Sequence, residues 1–114
     1  MELYCYKAKC LRVVDGDTLD LEISLGLNSY VHERVRILGI NTSEIYGVSK
    51  DSEEYKKGMQ STARVQELVM GKELVIKTHK DQKGKYGRYL AEIWVDDVNV
   101  GELLIKEGFA KKYE

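Results

Sequence analysis

The chain contains no proline, so no slow cis-prolyl step enters its folding. Cysteine is scarce, with only Cys5 and Cys10. Five residues along a strand span ~16 Å and the odd spacing points the two side chains to opposite faces, whereas a disulfide needs Cα atoms within ~7 Å. Both are expected as free thiols, which suits a reducing compartment. No Cys/His set at zinc-like spacing lies near them, so a zinc site is not expected. No apolar run approaches the ~20 residues that cross a bilayer. The opening MELYCYKAKCLRVV has no continuous apolar core of the kind a secretory leader carries, so no membrane partner and a cytoplasmic location are the expectation. An excess of one charge is also lacking: 18 Lys and Arg against 19 Asp and Glu leave a net charge of −1. That argues against a basic protein that coats nucleic acid nonspecifically.

What is present reads as one globular unit. Its 114 residues, 43% hydrophobic and 32% charged, fit a single domain over 1–114. Strand patterns come first, at Tyr4–Val14, Thr18–Leu25 and Tyr30–Ile40, separated by breaks at Asp15-Gly16-Asp17 and Gly26–Ser29. In the second, Leu19, Leu21, Ile23 and Leu25 alternate with Thr18, Asp20, Glu22 and Ser24, which is period-two patterning. In the third, VRILGI is nearly all apolar, as in a strand covered on both sides. A polar loop, Asn41–Lys50, precedes a helix over about Ser52–Met70, with Asp51 and Glu54 as its capping box and Gly71 as its stop. Two more strands follow, Lys72–His79 and Arg88–Val95. A turn at Asp96-Asp97 then leads to a helix over Val100–Glu107, capped by Asn99 with Glu102 and ended by Gly108. The order βββ-α-ββ-α predicts an α+β fold, a five-stranded OB-fold β-barrel with two packed helices.

Three patches carry chemistry. In Asp15-Gly16-Asp17 the triplet is most simply a tight turn, yet Asp17 shares parity with Leu19 and Leu21 and so faces the barrel, where a carboxylate needs a cation or an arginine. Arg36 lies inside the apolar third strand with the parity of Leu38 and Ile40. It either pairs with a carboxylate or reaches a phosphate with its bidentate fork. Beyond it stand the oxygen donors Asn41 and Thr42 and the carboxylate Glu44. The stretch Lys77 to Arg88 sets Lys77, Lys80, Lys83, Lys85 and Arg88 against Asp81 alone, and Tyr86 adds a ring able to stack on a base or sugar. Phosphodiester hydrolysis needs an oxygen-liganded divalent cation, a base for water, and cations facing the phosphoryl oxygens. Asp17 and Asn41 suit the first, Glu44 the second, and Arg36 with Arg88 the third.

VVDGDTLDL, RVRILGINTSE and KGKYGRYLAEIWVDD closely resemble the three signature segments of the staphylococcal nuclease family, and the intervening helix and VNVGELLIKEGFAKKY line up as well. The resemblance implies an OB-fold barrel and calcium-dependent cleavage of DNA or RNA. It implies metal contacts from Asp17, Asn41 and the carbonyl of Thr42, catalytic roles for Arg36, Glu44 and Arg88, and substrate contacts from Lys85, Tyr86 and Tyr113. Two residues depart from the family pattern: Asn41 stands where the family has aspartate, and Ser43 where it has proline. The family's secreted bacterial enzyme also continues into a third helix, so a flank left open for self-association is a further expectation. The competing reading is a non-catalytic OB-fold module that binds nucleic acid or peptide.

Overall fold

The computed structural model describes residues 3–43, 45, 49–83 and 87–113, with only the backbone of Lys80. Strands β1 (Cys5–Asp15), β2 (Thr18–Gly26) and β3 (Ser29–Ile37) form an antiparallel meander. Helix α1 (Glu53–Val69) leads to β5 (Glu73–Lys83), which pairs with the far edge of β1 and with β6 (Tyr89–Val95). A parallel pairing of β6 with β3, with Val35 opposite Tyr89 and Ile37 opposite Ala91, closes the five strands into a barrel. The short β4 (Ile40–Asn41) pairs with β8 (Lys111–Lys112), β7 (Val98–Asn99) extends the edge of β6, and α2 (Val100–Lys106) follows it. The architecture is the expected α+β barrel with two helices.

Alternation along each strand fills the interior. Leu19, Leu21, Val35, Ile37, Leu74, Ile76, Ala91 and Ile93 have no solvent exposure. Val65 and Val69 of α1 and Leu104 of α2 join the same core. The buried face of α1 runs Gly58, Ser61, Thr62, Val65, Val69, a helical spacing of three and four. Its upper half is small residues, which lets the β1–β2 turn come close. A Cβ added at Gly16 would lie 2.8 Å from both the Ser61 Cβ and the Thr42 Oγ1. Glycine there is a packing requirement as well as a turn residue.

Four details differ from the sequence reading. The apolar run VRILGI is not one doubly covered strand, because β3 ends at Ile37 and a turn with Gly39 at φ 85° restarts the chain as β4. Val35 and Ile37 face inward while Leu38 is 37% exposed, so Arg36 belongs to the outward row of β3. The cap of α1 is Ser52, whose Oγ accepts from the Tyr55 N–H at 3.1 Å; Asp51 instead uses its own N–H on the Ser49 hydroxyl. Strand β5 runs on to Lys83, and the basic segment is therefore half strand. Finally, Leu25 escapes the buried alternation at the register shift between Ser24 and Gly26 near the end of β2. Asn99 caps α2 as expected, accepting from the Glu102 N–H at 3.1 Å. Neither Cys5 nor Cys10 forms a disulfide. No helix among the described residues is long and apolar enough to cross a membrane.

Candidate functional site

Register brings the sequence-predicted residues together. The β2–β3 ladder sets Thr18 directly across from Arg36, and the next outward pairs are Asp20–Arg34 and Glu22–His32. Arg34 is spent locally, donating from Nε to Asp20 at 2.8 Å and from Nη2 at 3.2 Å. These hydrogen bonds hold the Asp20 carboxyl below its ordinary range, against a smaller opposing effect of burial. Arg36 meets a different pair of oxygens. Its Nη2 lies 3.5 Å from Asp17 Oδ2 and 3.4 Å from Asn41 Oδ1. Its guanidinium also sits 5.0 Å from the centre of the Tyr113 ring, within cation–π range.

Asp17 is 7% exposed, so its charge needs compensation. Beyond Arg36 it accepts from the Thr18 hydroxyl at 3.1 Å and from the Thr42 N–H at 3.3 Å. The Asp17 N–H donates to Asp15 Oδ1 at 3.0 Å, tightening the turn, and the Asp17 carbonyl accepts from Ile37 N–H at 2.8 Å. Arg88, just before β6, donates from Nη1 to the Thr18 hydroxyl at 3.1 Å. Thr18 thus bridges Asp17 and Arg88. Thr18 shares its row on β2 with Asp20, Glu22 and Ser24, yet it is 2% exposed, because the two arginines cover that end of the face. The one signal for it was its place directly after Asp17. Tyr113 is held by its N–H on the Gly39 carbonyl at 2.9 Å, beside the β4–β8 pair that also fixes Asn41.

Of the nine predicted residues, Asp17, Arg36, Asn41, Thr42, Arg88 and Tyr113 gather at this end of the barrel. Glu44, Lys85 and Tyr86 lie outside the described residues. A cavity of about 540 Å³ opens beside the group, between Asn41, Thr42 and Ser43 on one wall and Lys57, Ser61 and Phe109 on others. The donor set is all oxygen near Asp17, which suits a hard cation rather than zinc or copper. Among the described residues no three His, Cys, Asp or Glu side chains cluster as metal ligands. Asp17 is therefore the one described carboxylate among the predicted ligands.

A five-stranded α+β barrel with two packed helices and an acid–arginine cluster at the β1–β2 turn defines an OB-type domain. The family model for staphylococcal nuclease homologues matches residues 34–114, and the chain belongs to that family. It is 36% identical over 101 residues to the SPbeta prophage-derived endonuclease YokF of Bacillus subtilis, covering 88% of this chain and 32% of that protein. It is 34% identical over 101 residues to endonuclease YncB of the same organism, covering 88% of this chain and 44% of that protein. It is 29% identical over 100 residues to the thermonuclease of Staphylococcus intermedius, covering 88% of this chain and 55% of that protein. The chain thus spans about a third to just over half of the length of these relatives.

Proposed function

We propose that this domain hydrolyses phosphodiester bonds of DNA or RNA with the help of calcium. The observation that carries the reading is the convergence of Asp17 Oδ2 and Asn41 Oδ1 on one guanidinium nitrogen of Arg36, with Arg88 joined to the same group through Thr18. Two arginines beside a nearly buried carboxylate suit a phosphoryl group that gains charge in the transition state. Membership of the family and similarity to proteins named as endonucleases support the same reading.

In this account Asp17, Asn41 and the Thr42 carbonyl hold the cation. Calcium bound there supplies Lewis-acid charge beside the phosphoryl oxygens. Arg36 and Arg88 orient the phosphate and offset the growing negative charge. Glu44 orients the attacking water and takes its proton as the new P–O bond forms and the leaving P–O bond breaks. Lys85, Tyr86 and Tyr113 hold the flanking nucleotide. Arg36 has a second duty, since it balances Asp17 in the free protein and must share that carboxylate with the cation. The test is a gel of single-stranded DNA and of RNA incubated with calcium or with chelator. Cleavage with calcium alone supports the reading; equal cleavage with chelator refutes the calcium role.

One observation favours the alternative of a non-catalytic binding module. Asn41 is neutral, and Asp17 is already compensated by Arg36. No cleavage by the wild type under any divalent cation, with cleavage gained on Asn41→Asp, would establish that alternative.

A further inference from the structure

At the start of β1 the barrel interior opens to solvent. The inward-facing Tyr6, Ile23, Val31, Glu33, Thr78 and Tyr89, drawn from all five barrel strands, line a pocket of about 190 Å³. Leu25 and Asp81 stand at its lip. Tyr6, Val31 and Tyr89 are partly buried and pack on the core, so the floor is apolar and the walls carry two phenol rings. One side is built from a distorted piece of β5. Its ladder with β6 slips between Thr78 and Lys83, and Asp81 takes φ 52° there. Asp81 is tied down by three hydrogen bonds: its N–H donates to the Thr78 hydroxyl at 2.9 Å, that hydroxyl donates back to its carboxylate, and Tyr6 donates to Oδ2 at 2.6 Å. The bond to Asp81, with burial adding to it, pushes the Tyr6 hydroxyl up to about 12, so it remains a donor at any working pH.

We propose that this barrel mouth is a base pocket, taking one unpaired nucleobase of the substrate strand at a distance from the cut phosphate. The inference rests on the nuclease reading for the identity of its ligand. Size sets the first limit. At about 190 Å³ the pocket is smaller than the ~300–1,000 Å³ of a site for a drug-sized molecule, and holds one planar ring system rather than a whole nucleotide. Chemistry sets the second. Tyrosine rings stack on the π-face that every base presents. The carboxylates of Asp81 and Glu33 accept hydrogen bonds and repel phosphate, so an amine-bearing ring such as cytosine or adenine enters base-first. Place in the fold sets the third. Lys83 and Tyr89 are the two ends of the segment that carries Lys85, Tyr86 and Arg88, and the Lys83 ammonium lies 5.3 Å from the centre of the Tyr89 ring. Glu33 precedes Arg36 by three residues on β3, roughly 10 Å along the strand, and points inward where Arg36 points outward, so a single strand joining the two passes over the rim of the barrel.

Two measurements test the pocket. Titrating the metal-free protein with cytidine, which has no phosphate, is expected to move the NMR signals of Ile23, Val31 and Tyr89 saturably, while ribose 5-phosphate leaves them in place. Signals that stay still, or shifts confined to Tyr113, would overturn the proposal. In the second, Val31→Phe places a ring inside the mouth. The ratio of kcat/KM for a long single strand to that for a dinucleotide is expected to fall several-fold; an unchanged ratio in a folded variant counts against the pocket. The titration involves no cleavage, so the two readings fail separately. Cytidine shifts in a protein that cuts nothing would end the nuclease reading and keep the pocket. Cleavage without cytidine shifts would do the reverse.

Discussion

Arg36 and Arg88 serve the same phosphate in this account, yet their loss is expected to look different. Arg36 balances an Asp17 carboxylate that is 7% exposed. Arg36→Ala removes the cation and leaves that charge to water and two hydrogen-bond donors. Its thermal stability should fall by on the order of 2–3 kcal/mol, somewhat below the ~3–5 typical when a fully buried pair is broken. Its activity loss then mixes catalysis with folding. Arg88 donates to the Thr18 hydroxyl, and Arg88→Ala is expected to lower turnover with a smaller loss of stability than Arg36→Ala. Parallel melting curves and kinetics of the two variants separate these outcomes. Asn41 is the residue to change in the other direction. Calcium affinity at oxygen-ligand sites rises with the number of charged ligands. Asn41→Asp should therefore lower the calcium concentration needed for half-maximal cleavage, and an unchanged requirement would mean that position 41 does not face the metal.

The elements were largely legible in the sequence because their signals are local. Alternation in Thr18–Leu25, the helical spacing of α1 and the Asp96-Asp97 turn each fix an element without help from the rest of the chain. The turn bears this out, with both aspartates at positive φ, 49° and 66°, as a two-residue hairpin turn requires. What was misread depended on distant partners. VRILGI looked like a single strand because Gly39 is the one local mark of a turn within an apolar run; the turn's reason is β4, which pairs with β8 about 70 residues away. The burial of Thr18 was not legible because Arg36 and Arg88, which cover it, come from β3 and the start of β6. The helix cap slipped by one residue, since Asp51 and Ser52 are both good caps by type. The slip has a measurable side. Ser52→Ala should cost about 1 kcal/mol, whereas Asp51→Ala should stay within about 0.5. Chemical denaturation of both variants decides which residue is the cap.

Across the whole molecule, ion pairs tie separate elements together and make stability depend on pH. Arg64 of α1 holds Glu107 at the end of α2 at 2.7 Å, and Arg34 holds Asp20 across β2 and β3 at 2.8 Å. Their hydrogen bonds to arginine place the Glu107 and Asp20 carboxyls below their ordinary values of 4.5 and 3.8. A carboxyl lowered by folding stabilises the protein above its unfolded value and ceases to do so as pH falls through its folded one. Melting temperature should thus hold near neutrality and decline from about pH 5 downward, less steeply in high salt because both pairs touch solvent. In the alkaline direction, burial pushes the Cys10 thiol up to about 11. Native alkylation should therefore label the half-buried Cys5 well before Cys10. Self-association through a flank left open remains a proposal; among the described residues Leu27 and Leu3 are large exposed hydrophobic side chains that can be tested for a part in it. Sedimentation of Leu27→Ser against wild type checks whether they drive it. The account as a whole stands on the two-arginine site, and single-turnover cleavage of a labelled single-stranded oligonucleotide by wild type and Arg88→Ala, with calcium and with chelator, tests it most directly. Calcium-dependent cutting by the wild type, abolished by chelator and slowed ~10²–10³-fold in the variant, is the predicted result; equal rates for the two folded proteins would contradict it.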